Sequence, residues 1–192
     1  MFELLTGFGL ALPAGLNAYI PLLAIAIADR YFGLIHLNSP YDVIASPGGI
    51  ALIVVLLLVE LLADKIPVVD HVNDLINTVI RPAAGATLMM ASTDAVSYIN
   101  PVVAMFLGLV VAGSVHTVKA GIRPVVTAST GGVGNPIVSA GEDGLAIGIS
   151  VIALVAPLLI LFVLAAQAAL IFYLLRERRR HRLERQRSQL PP

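Results

Sequence analysis

The chain of 192 residues has no cysteine, and only 12% of it is Asp, Glu, Lys or Arg. Without thiols, a disulfide framework, a thiolate metal site and a cysteine nucleophile are all excluded, and redox chemistry says nothing about compartment. The four histidines, at 36, 71, 116 and 181, do not fall at a zinc-motif spacing, so no metal is expected. No Gly-x-Ser-x-Gly elbow, His-Glu-x-x-His, Walker A or dinucleotide fingerprint is present. No cofactor and no catalytic residue is expected, and an enzyme is the less favoured reading. Soluble domains carry about 25% charged residues, and so low a content excludes a disordered chain and a nucleic-acid module.

What is there is apolar. Hydrophobic residues make up 58% of the chain and mean hydropathy is +0.91, against about 45–50% apolar in soluble domains. The composition points to an all-α integral membrane protein. A formal net charge of zero hides an asymmetry: residues 1–175 carry five Lys/Arg against ten Asp/Glu, and 176–192 carry seven against two. We read 1–175 as a transmembrane domain and 176–192 as a basic cytoplasmic tail.

A helix needs about 20 apolar residues to cross the hydrocarbon. Four runs are free of charge, at 4–28, 43–59, 95–118 and 144–175. The second is short and is expected to continue through Glu60 to about Ala63; the fourth is too long to be one straight span and is expected to break at Pro157. Two further uncharged stretches, 82–93 and 124–141, are too short or too rich in Gly, Ser, Thr and Pro to cross. They read as re-entrant or interfacial segments. Glu3 stands where a signal peptide has basic residues, so 4–28 reads as a span. The positive-inside rule then puts both termini in the cytoplasm of a bacterial inner membrane protein with about four spans.

Polar residues collect in two places. Glu60 and Asp64 share a helix face, beside Lys65 and ahead of Pro67; after the proline, Asp70, Asp74, Asn77 and Arg81 line one stripe opposite Val72, Leu75, Ile76, Val79 and Ile80. Such a stripe lies at an interface or lines a cavity. The second group is His116, Lys119 and Arg123, at i, i+3 and i+7, three potential cations suited to a phosphate or carboxylate. Ile80-Arg81-Pro82 and Ile122-Arg123-Pro124 each follow a span and precede small residues, which suggests an inverted-topology repeat. In the first span, Pro13, Gly15, Asn17 and Pro21 read either as a broken helix with Asn17 at a solute site or as a packed kink. Glu142 and Asp143 are polar groups whose spacing assigns them no role.

With Gly15-Leu16-Asn17-Ala18-Tyr19, Glu60-x3-Asp64-Lys65-Ile66-Pro67-x2-Asp70, Ile80-Arg81-Pro82-x2-Gly85 and His116-x2-Lys119-x3-Arg123, the chain resembles a family of small bacterial integral membrane proteins known only as a domain of unknown function. The resemblance runs from about 7 to 172 and is most specific at the Glu60-to-Asp70 block. It implies a four-span-like membrane protein and no particular activity.

From these residues we expect a small transporter or channel for an ion or a small anionic solute. Arg81, Lys119 and Arg123 attract the solute, Glu60, Asp64, Asp70 and Asp74 balance charge or carry a coupling cation, and His116 or Glu60 carries a proton. Asn17 and Lys65 complete the set. Two alternatives stand beside this: a scaffold protein whose charges only pair across helices, and a membrane enzyme acting on a phosphorylated lipid with a divalent ion held by the acids. Partners expected are the bilayer, the solute and further copies of the chain, with Gly108, Gly113 and the alanines at 165–169 providing contact between copies.

Overall fold

The computed structural model describes residues 2–63, 67–93 and 99–188, and the side chains among them except at 67–72, 74, 174, 175 and 177–188. The described residues form seven α-helices and no strand: α1 (Phe2–Ala14), α2 (Tyr19–Ile27), α3 (Pro47–Ala63), α4 (Pro67–Thr93), α5 (Pro101–Thr130), α6 (Asn135–Val155) and α7 (Ile160–Ser188). They divide into two compact units, one up to Ile160 and one from Leu161 onward. The second unit is the body of α7, which runs unbroken through the expected boundary at residue 175.

Prolines and caps set the helix starts. Ser46 ahead of Pro47 accepts the Gly49 N–H at 3.0 Å, and Asn100 ahead of Pro101 accepts the Val102 N–H at 2.9 Å, both with proline preset for the first turn. The first run breaks into α1 and α2, one of the two readings its sequence left open. After Pro13 and Gly15, Asn17 Oδ1 accepts from the N–H groups of Tyr19 at 3.0 Å and Ile20 at 3.2 Å. It thereby satisfies two donors at the start of α2.

In the first unit α1 is central, with Leu5 through Gly7 and Gly9 through Ala14 buried. It packs on α4, α5 and α6. Small residues let the backbones approach closely: a Cβ on Gly85 would meet the Ala112 Cβ and stand 2.7 Å from the Gly108 carbonyl oxygen, and one on Gly108 would stand 2.7 Å from Met89 Cβ. Gly15 and Ala112 approach in the same way. Gly108, expected between copies, is therefore committed within the chain, and Gly113 faces Pro82 of α4 at 3.7 Å.

Two expectations need correction. Residues 82–93 are no separate irregular segment but the continuation of α4 through Pro82. Their alanines, strong helix formers, extend a helix already nucleated upstream and packed on α1 and α5. Likewise 124–130 completes α5, Gly131 and Gly132 reverse the chain at φ of 61° and 88°, and α6 begins at Asn135. The long fourth run divides at Ala156, ahead of Pro157, as its proline implies.

Among the described residues two helices, α5 and α6, are long and apolar enough to cross a membrane. Beside an apolar core that includes Leu10, Ile25, Leu88 and Met89, α4 has a distribution of side chains inverted relative to a protein folded in water. On α4, Leu75 and Val79 are 74% and 73% exposed, while Asn77 and Arg81 are 2% and 0% exposed. Glu60, His116, Lys119 and Arg123 are buried as well, while Leu58, Phe106 and Val125 on the same helices are exposed.

Candidate functional site

α5 carries its small and its charged residues on one inward stripe: Ala104, Gly108, Ala112, His116, Lys119 and Arg123 are all buried. The expected common face of His116, Lys119 and Arg123 is thus present. The upper part of the stripe fits against α4, where Gly85 permits close approach. Below it the charged residues divide between two clusters.

The first cluster joins α3, α4 and α5. Arg81 Nη2 donates to Glu60 Oε1 at 2.8 Å, and Asn77 Nδ2 donates to the same oxygen at 3.2 Å. Arg81 Nη1 lies 3.1 Å from His116 Nδ1. A guanidinium has no acceptor, so Nδ1 accepts; the neutral ring then carries its proton on Nε2, 3.2 Å from Thr78 Oγ1. His116 is thereby an inner link in a chain from carboxylate to guanidinium to imidazole to hydroxyl. It turns toward Arg81 rather than joining Lys119 and Arg123 around one anion.

The second cluster joins α5, α6 and the break between α1 and α2. Arg123 Nη2 donates to Glu142 Oε2 at 2.7 Å, and Lys119 Nζ lies 3.0 Å from the same oxygen. Lys119 Nζ also donates to the Leu16 carbonyl at 2.8 Å. Next to Leu16, Asn17 Nδ2 donates to Asp143 Oδ1 at 3.0 Å. The interrupted backbone of the first run is therefore tied to a buried cation on α5 and to an acid on α6. A groove of about 370 Å³, lined by apolar side chains of α2, α3 and α6, reaches Asp143 and Ser150.

Of the sequence-derived set, the structure brings Glu60, Arg81 and His116 into one cluster, and Asn17, Lys119 and Arg123 into the other. Asp64 and Lys65 lie outside the described residues, and Asp70 and Asp74 sit on α4 with side chains outside them. Among the described residues no three of His, Asp and Glu come together to hold a metal ion. Glu142 and Asp143 are the partners that spacing left unassigned. The signal was there: Arg123 precedes Gly132 by nine residues and Glu142 follows Val133 by nine, so a helical hairpin reversing at those glycines sets one opposite the other.

Fold and site define an all-helical protein that buries paired charges beneath an apolar exterior. The chain belongs to the family described as a domain of unknown function (DUF4126), which it matches over residues 4–177. No curated protein and no solved structure matches it.

Proposed function

We propose that this is a membrane protein with several crossings, acting as a small transporter or channel whose solute is a small anion bearing a carboxylate or phosphate. The observation that carries the reading is the meeting of Lys119 with the broken first run: a cation 1% exposed bonds the Leu16 carbonyl at 2.8 Å, where the helix is interrupted. Charge inside a membrane is expensive and tends to mark a pathway, and discontinuous helices supply free backbone groups to bound solutes. The apolar exterior supports lipid as the solvent, and the arginine-rich end of α7 suits the cytoplasmic face.

Reconstituted in liposomes, the protein should give currents on a solid-supported membrane that saturate with one class of anion, and Arg123→Gln should abolish them while the protein stays folded. Silence from folded wild-type protein across carboxylates and phosphates overturns the proposal. A second reading, a scaffold whose charges only join helices, is favoured by the pairings themselves, Glu60 with Arg81 and Glu142 with Lys119 and Arg123. Under it, the same panel gives no current.

A further inference from the structure

We infer that Glu142 is a tethered stand-in for the solute: its carboxylate occupies the position on Lys119 and Arg123 that a carboxylate or phosphate group takes when bound, and the solute enters by displacing it. The inference rests on the anion reading above and names how that site is occupied before the solute arrives.

Three observations carry it. One oxygen, Glu142 Oε2, serves both cations, at 3.0 Å from Lys119 Nζ and 2.7 Å from Arg123 Nη2. That is the contact any oxyanion would make there. The side chains also differ in access, since those of Lys119 and Arg123 are 1% and 3% exposed and that of Glu142 is 14% exposed. The carboxylate is the outer member, placed to leave first.

The third observation is the division between elements. Both cations ride on α5, whereas Glu142 rides on α6, which packs chiefly against α1 and α2 and joins α5 through Gly131 and Gly132. Glu142 can therefore withdraw by rotating its own side chain or by a small movement of α6, with α5 unchanged. Energetics favour exchange over simple addition. Taking a counter-charge away from two buried cations is costly, so the unloaded site keeps the Glu142 carboxylate on them. A monoanionic group arriving as Glu142 leaves keeps the buried charge constant.

The test uses the full chain in phosphatidylcholine nanodiscs, with acetate and inorganic phosphate as dissolved probes and a second set of nanodiscs containing phosphatidic acid as the lipid-borne probe. If Glu142 holds the cation pair about nine-tenths of the time, Glu142→Gln tightens apparent affinity about tenfold. Arg123→Gln should lose binding, and the probe that responds identifies whether the group is dissolved or lipid-borne. A wild-type measurement guards against a variant that fails to fold. Saturating inorganic phosphate, or phosphatidic acid where that is the responding probe, should speed carbodiimide modification of Glu142 severalfold, read by mass spectrometry of its peptide. Wild-type binding with no tightening in Glu142→Gln, or no change in modification on saturation, overturns the tethered anion while the anion site stands. No binding of any probe by either protein overturns both.

Discussion

Glu60 and Arg81 are 2% and 0% exposed and 2.8 Å apart, so each is held in the interior by the other. Removing one partner of a buried pair costs about 3–5 kcal/mol, because a charge is left without its counter-charge, whereas replacing both by apolar groups is often neutral. Glu60→Leu and Arg81→Leu should each lower the melting temperature in detergent sharply, and the double variant should recover most of the loss. Simple addition of the two effects would show that the pair is not what the site depends on. The same cluster shows what could be read at this scale. The face shared by His116, Lys119 and Arg123 follows from spacing alone, as does the meeting of Asn77 and Arg81 on one stripe. Spacing within a helix names a face but not the opposing element, which is why the separation of His116 from Lys119 and Arg123 into different clusters was not legible.

Helices pack here by small residues. Gly85 and Gly108 meet where α4 crosses α5, and a side chain at Gly108 would press on the Gly85 backbone, which cannot yield as a flexible side chain would. Gly108→Val should therefore destabilise by about 1–3 kcal/mol, the usual cost of overpacking, and more if the helices part. Gly121, on the same helix with nothing within 4 Å of an added Cβ, is the matched control. Gly121→Ala should stabilise by about 0.5–1 kcal/mol, since alanine loses less backbone entropy in a helix. Equal thermal shifts for the two variants would place the Gly108 contact outside the packing that limits stability. The charge-free runs at 43–59 and 95–118 located α3 and α5 but not their starts, which fall where a cap meets a proline, at Ser46-Pro47 and Asn100-Pro101. Boundaries were not legible at 82–93 either, because a short uncharged stretch looks isolated only until the helix upstream is known to run into it.

At the scale of the molecule, α4 decides how the chain is threaded. Arg81 meets His116, Pro82 faces Gly113, and Met89 meets Gly108, so α4 and α5 run antiparallel along their length. Periodicity divided α4 into a polar and an apolar stripe, but which stripe turns inward depends on the solvent. In water Leu75 and Val79 would be inside; here they are outside and Arg81 is inside, the arrangement that lipid stabilises. A helix of 27 residues spans about 40 Å at 1.5 Å per residue, more than the roughly 30 Å hydrocarbon core. We therefore expect α4 to cross alongside α5. α1 runs in the same direction as α5, with Gly7 and Gly108 both against Met89 and Gly15 against Ala112 and Val115, so with the N-terminus in the cytoplasm a crossing α4–α5 pair puts the Gly131–Gly132 turn outside. The native chain has no cysteine, so Val133→Cys, at a position 78% exposed, reports this directly. A membrane-impermeant maleimide should label it in intact cells as fully as after lysis. Labelling only after lysis would remove this threading of α4 and α5 through the membrane and, with it, the lipid-facing role of Leu75 and Val79.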